Sequence, residues 1–310
     1  MHFKTFVPLL LVALMLSAVV MTSAQDEEEG VRGAFLSTRV SASAGVGKTS
    51  AGGAGGAGTT RRSRRRAKTT TTRPTNTVST NKNTNTTRTA TSNTSVAVKA
   101  VASAPIGLGY SLYMRDANGD AVRVDPDRTF RTGDRVRISL ETNTDAYLYI
   151  FNSTDNGNPV MIYPDVRLDD AGNYVEAHVP TEVPSSTEAD ERFRWFTFDA
   201  APGTEHIYIV VTREPLPGVP IEDDLVSYCR SNRCPWQPAP GVWAQIKAAL
   251  GGQVQVVKAK AYGQSQTPGE REATTRGLGL DQSAPPPSVI RMNASSNTGL
   301  LVTGIDLAHK

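Results

Sequence analysis

An all-β fold is predicted for the centre of this 310-residue chain: an Ig-like antiparallel β-sandwich, preceded by a disordered N-terminal arm and followed by an irregular C-terminal extension. Three observations predict it. Apolar residues recur at a period of two through much of 106–215, which is the pleat repeat of a half-buried strand. Turn formers punctuate those runs at Asn118-Gly119, Gly133-Asp134, Asn143-Thr144-Asp145, Pro164-Asp165 and Pro202-Gly203. About 110 residues patterned in this way is the size of one sandwich.

In chain order, Tyr110, Leu112 and Met114 alternate with Ser111, Tyr113 and Arg115, and Asn118-Gly119 turns that strand into a hairpin whose return strand carries Val122 and Val124. Next, Val136, Ile138 and Leu140 face one way, and Arg135, Arg137, Ser139 and Glu141 the other. That pattern predicts a strand with one wet face. The run Ala146–Phe151 is apolar on both faces, with Tyr147, Tyr149 and Phe151 on one side and Ala146, Leu148 and Ile150 on the other. It predicts a central strand covered on both sides. Val160–Tyr163, Tyr174–Val179, Phe193–Phe198 and His206–Thr212 are the further strands.

Beyond Thr212 the pattern weakens. Residues 216–262 form a cysteine-containing extension, irregular and proline-rich up to Pro240. Val242–Leu250 is a helix candidate with Trp243, Ile246 and Leu250 on one face and Gly251 as its stop. Val254–Val257 and Leu300–Val302 are short strand candidates, the second at an edge. Residues 263–310 otherwise read as a flexible tail.

The N-terminal arm differs in kind. Residues 1–24 carry Lys4, an apolar run from Phe6 to Val20, and Thr22-Ser23-Ala24, which is the pattern of a cleaved secretory signal. The apolar run falls short of the about 20 residues that a membrane anchor needs. The expected location is therefore secreted or periplasmic, with no membrane span after cleavage. Residues 25–105 read as a disordered linker of Gly, Ala, Thr and Asn. Burial there is too small to offset an ordering cost of about 1–2 kcal/mol per residue. Between Val31 and Pro105 stand thirteen Lys/Arg and no Asp/Glu; from Ile106 to Lys310 stand nineteen Lys/Arg against twenty-six Asp/Glu, a net of −7. A basic arm thus precedes an acidic body.

At Gly133-Asp134, Tyr147-Leu148-Tyr149, Tyr163-Pro164-Asp165 and Gly203-Thr204-Glu205 the chain resembles a bacterial family known as domain of unknown function 4384, over about 130–212. The family often has Gly where Ala146 stands and Asn where Asp165 stands. The resemblance implies an extracytoplasmic accessory or binding domain, in some members attached to signalling or peptidase modules. It brings no catalytic residues with it.

Several motifs bear on chemistry. Cys229 and Cys234 are the two cysteines of the chain. An exported chain would pair them as a disulfide; the alternative is a share in a metal site, for which further cysteine ligands are lacking. Gly45-Val46-Gly47-Lys48-Thr49 lacks the first glycine, the strand and the helix of a phosphate loop. Asp116, Asn118 and Asp120 have calcium-loop spacing, but Ala121 replaces the required glycine, so a solvated hairpin tip is expected. His2, His178, His206 and His309 show no metal-binding spacing. No catalytic, cofactor or metal residues are expected, and no enzyme. Arg61, Arg62, Arg64, Arg65, Arg66 and Lys68 form the sharpest charged cluster. It is suited either to an anionic polymer or to solubilising a tether. Trp195, Tyr208 and Tyr163 are candidates for a sugar-stacking face or for core aromatics. The expected function is a non-catalytic binding or structural module of the cell envelope, with an anionic polymer or another envelope protein as partner.

Overall fold

A computed structural model describes residues 26–41, 104–166, 172–231, 234–250, 252–259 and 261–310. Two antiparallel sheets face each other across a shared core. The first runs β10 (Val254–Lys258), β11 (Val289–Asn293), β1 (Gly107–Arg115), β3 (Arg135–Thr142), β7 (Thr181–Val183). To it β2 (Ala121–Val124) adds beside β1, and β8 (Phe196–Thr197) beside β3. The second runs β12 (Leu300–His309), β9 (Gly203–Thr212), β4 (Ala146–Thr154), β5 (Val160–Tyr163), with β6 (Tyr174–Val175) beside β4. The predicted all-β sandwich is observed.

Period-two patterning builds the interface between the sheets. Leu108, Tyr110 and Leu112 of β1 and Val136, Ile138 and Leu140 of β3 meet Leu148 and Ile150 of β4, Ile209 and Val211 of β9, and Leu301 and Ile305 of β12. The β1–β3 register pairs Tyr110 with Leu140 and Leu112 with Ile138, so apolar side chains lie beside one another on one face.

Both outer faces are also covered. On the second sheet, Tyr149 and Phe151 pack beneath Trp236, Leu225 of α2 (Glu222–Arg230) and Ile246 of α3 (Pro240–Leu250). This is the two-sided burial expected of β4, and α3 is the expected helix; its proposed stop, Gly251, lies outside the described residues. The stretch before Pro240 is not wholly irregular, because α2 forms there with Glu222, Asp223 and Asp224 in its first turn, where carboxylates favour the positive end of the helix dipole.

On the first sheet the expected wet face of β3 is instead buried. Arg137 and Glu141 are 5% and 4% exposed. Three arginine–glutamate pairs lie under the cover: Arg137 Nη1 donates to Glu182 Oε2 at 3.0 Å, Arg39 Nη2 to Glu141 Oε2 at 2.6 Å, and Arg123 pairs with Glu270. Two of the covering segments come from stretches read as flexible. Residues 26–36 are helical (α1). They place Val31 and Phe35 against Val257, Ile290 and Met292, so the arm is not uniformly without structure. At the other end, α4 (Pro268–Arg276) starts on a capping box in which Thr267 and Glu270 bond each other's backbone N–H, and it stops at Gly277 in the left-handed region, φ 61°. With β11 between two strands and β12 paired to β9 over ten residues, residues 263–310 are largely part of the body. β12 does lie at a sheet edge, as expected, but it is far longer than Leu300–Val302.

Candidate functional site

The most chemically distinctive concavity lies beside the outer face of β3, where two adjoining hollows of about 330 and 530 Å³ share Arg115, Glu191 and Trp195. β3 contributes Arg135 and Arg137, which the pleat turns away from the core. Arg115 comes from the end of β1. The connection from β7 to β8 supplies the rest, and local hydrogen bonds fix its path: Asp190 caps a 3-10 turn by accepting from Arg192 N (3.0 Å), Arg194 Nε donates to Glu188 O (2.6 Å), and Arg137 Nε donates to Arg194 O (3.1 Å). Arg271 of α4 closes one side.

Trp195 is half-buried, and the Arg137 guanidinium carbon lies 4.0 Å from its ring centroid, a close cation–π contact. Burial pulls the Arg137 guanidinium below its ordinary value, with Glu182 acting against that. Arg137 is thus a fixed buried anchor. Arg115 meets Glu191 at 3.1 Å at the rim, with its side chain 30% exposed. Arg192 pairs with Asp190 at 2.6 Å and holds that carboxyl at about 2. Six arginines (115, 135, 137, 192, 194, 271) therefore line the hollows against Asp120 and Glu191. Planar guanidinium forks suit carboxylate, sulfate and phosphate groups, which they bind in pairs of hydrogen bonds. An indole plane beside them suits a sugar ring or another flat apolar face.

A second cavity of about 260 Å³ opens between the sheets, walled by Ile138, Ile162, Phe196 and Leu307. Its polar end is Glu205, which accepts from Asn152 Nδ2 (2.9 Å) and Thr154 Oγ1 (3.0 Å), with His309 Nε2 at 3.7 Å. The volume is below the usual range for a small-molecule site.

A third cluster joins α1 to the body. His178, in the left-handed region at φ 60°, has Nδ1 2.7 Å from Glu141 Oε1 and Nε2 2.7 Å from Thr38 Oγ1. The spacing is that of a hydroxyl–imidazole–carboxylate relay. Here Glu141 is also clasped by Arg39 Nε and Nη2, at 2.7 and 2.6 Å, and the Thr38 hydroxyl is 2.7 Å from Phe35 O. The cluster is knitted into the docking of the segment.

The sites expected from sequence fare differently. Cys229 and Cys234 lie at disulfide distance, with Cα atoms 4.9 Å apart, at the end of α2. Arg61, Arg62, Arg64, Arg65, Arg66 and Lys68 lie outside the described residues, as do the signal segment and 45–49. The three aromatics proposed as one sugar face are dispersed: Tyr163 is in the core, Tyr208 meets Trp243 edge-on at 4.8 Å on the second sheet, and Trp195 alone reaches the arginine cleft. Asp116 Oδ1 accepts from Asn118 N (2.9 Å) and Asp120 N (2.7 Å), closing a hairpin tip. No group of three or more His, Cys, Asp or Glu side chains could hold a metal among the described residues. None of the described helices is long and apolar enough to cross a membrane. Sequence reasoning missed the cleft because its arginines come from four separated stretches; the one local signal was Arg192-Phe193-Arg194-Trp195.

Residues 129–215 match the family model described as Domain of unknown function (DUF4384). This agrees with the resemblance at Gly133-Asp134, Tyr147–Tyr149, Tyr163–Asp165 and Gly203–Glu205. No curated protein and no solved structure matches the chain.

Proposed function

We propose that this chain, which carries a DUF4384 domain, is an exported non-catalytic binding module of the bacterial cell envelope, and that its ligand is an anionic polymer. The observation that carries the reading is the cleft in which Arg115, Arg135, Arg194 and Arg271 surround Trp195. A polymer presenting carboxylates or phosphates at intervals meets several guanidinium groups there, and its rings or chain meet the indole. The cluster Arg61–Lys68 adds charge without aromatic groups, so it supplies attraction over a distance while the cleft supplies selectivity. The signal-like residues 1–24 and the half-cystine spacing at 229 and 234 support export.

Heparin serves as a model anionic polysaccharide. The full chain should be retained on it and elute at a defined salt concentration. The triple change Arg115→Ser, Arg135→Ser, Arg271→Ser should elute at clearly lower salt, and Trp195→Ala should weaken retention with less change in salt dependence. Deleting 61–68 should lower retention independently. If the triple variant elutes with the wild type and only the deletion matters, the cleft is not the binding site.

A further inference from the structure

We infer that residues 31–41 are a detachable ligand, and that the groove they occupy on the first sheet accepts the same segment from a second copy of this chain. This inference is independent of the arginine cleft and of its ligand.

Everything that seats the segment lies within ten residues. Val31, Phe35 and Arg39 follow one another at four-residue intervals and are all buried. The socket is shaped for them by the absence of side chains. A Cβ placed on Gly107 would lie 2.9 Å from the Phe35 ring, and one on Gly109 would lie 3.1 Å from it. Phe35 therefore rests directly on the backbone of β1, with His178 edge-on at 5.6 Å. Arg39 extends beyond it. Its guanidinium takes both oxygens of Glu141, and Nη1 donates to Ala284 O at 2.9 Å. Val40 then forms a parallel bridge with Asp281, and Gln282 N donates to Val40 O at 3.1 Å. An apolar anchor, a forked charge and a short strand addition are the elements by which folded domains hold linear peptides.

Nothing in that list needs the peptide and the socket to belong to one molecule. The next described residue is Ala104, and 42–103 intervene. That length of chain spans at most about 200 Å, so it sets no bar to docking on a neighbouring body. Two chains exchanging segments reciprocally would reproduce every contact of the closed form, which is the low-cost route to a dimer. The opposing factor is proximity: a tether gives the cis segment an effective concentration on the order of millimolar or less. Exchange is therefore a property of crowded or surface-gathered molecules.

The test traps exchange covalently in the full chain. One variant carries Val40→Cys, a second Asp281→Cys, and a control carries both; Val40 is exposed, and neither residue is in the core. The control should form the disulfide within one chain. An equimolar mixture of the two single variants, oxidised slowly at millimolar concentration, should yield a dimer linked from position 40 to 281. Adding Phe35→Ala to the first variant should lower that yield at least tenfold. If the control closes internally while the mixture gives no linked dimer, docking is confined to one chain and the inference fails. It fails equally if the control does not close, or if Phe35→Ala leaves the yield unchanged, since linkage then reflects collision.

Discussion

Removing the acid of a buried ion pair should cost very different amounts at Glu182 and at Glu141, although both pair with an almost wholly buried arginine. Glu182→Ala strips Arg137 of its carboxylate (3.0 Å) and Gln266 Nε2 of its acceptor (2.6 Å). Arg137 sits in the middle of β3, paired to β1 on one side and to β7 and β8 on the other, so it cannot leave with a peripheral segment, and it stays 5% exposed against Trp195. The loss should be that of an uncompensated buried charge, about 3–5 kcal/mol. In a body of this size that corresponds to a fall in Tm of about 6–20 °C. Glu141→Ala strips Arg39 instead, and Arg39 belongs to a peripheral segment. The segment can leave its groove and return the guanidinium to water, so the cost is capped by the docking free energy. Thermal unfolding followed by circular dichroism should show a large loss for Glu182→Ala and a small one for Glu141→Ala. Limited proteolysis should show early cleavage within 26–41 for Glu141→Ala alone. Equal losses in the two variants, or a Glu182→Ala protein within about 1 kcal/mol of wild type, would refute the reasoning.

Two further outcomes follow from other contacts. Burial alone would raise the Glu270 carboxyl, but Arg123 and the hydrogen bonds from Thr267 outweigh it and hold the group below the ordinary 4.5. Since the folded value is the depressed one, this pair stabilises fully above the unfolded value and loses its contribution as pH falls from about 4.5. An acid titration should therefore loosen α4 in that window, and Glu270→Gln should flatten the dependence. Gly109→Ala should destabilise by about 1–3 kcal/mol, because its Cβ would lie 2.4 Å from Pro287 Cγ and 3.1 Å from the Phe35 ring. A Tm within a degree of wild type would show that the close approach is relaxed in solution.

Strands β1 to β5 and β9 were legible because each carries its own local pattern, whereas β7, β11 and most of β12 were not. Tyr110, Leu112 and Met114 need no knowledge of their partners to be placed on one face, and the double-sided burial of β4 is visible in Ala146 to Phe151. The covering layer was not legible in the same way. Glu141 and Arg137 look like surface residues until Arg39 and Glu182 arrive from distant positions in the chain. Some local signals did exist in stretches read as flexible: Val31, Phe35 and Arg39 at helical spacing, and Thr267-Pro268-Gly269-Glu270 with Gly277, which is a capping box closed by a glycine stop. Composition averaged over long windows concealed both. The cleft around Trp195 was hidden for the same reason as the ion pairs, since its arginines converge only through tertiary structure.

The pairing of β12 with β9, from Leu300–Thr212 to His309–Gly203, separates the stretch that the family model matches from the unit that folds. Residues 129–215 include β3, β4 and β9, yet β3 has one open flank without β1, and β9 has an open flank until β12 arrives about ninety residues later. A fragment cut to the bounds of the family match would present two raw strand flanks and invite stacking into aggregates. During synthesis the same arrangement delays completion of the second sheet until β12 has emerged. The half-built molecule would then depend on chaperones, or on speed, to keep its sticky margin apart from its neighbours.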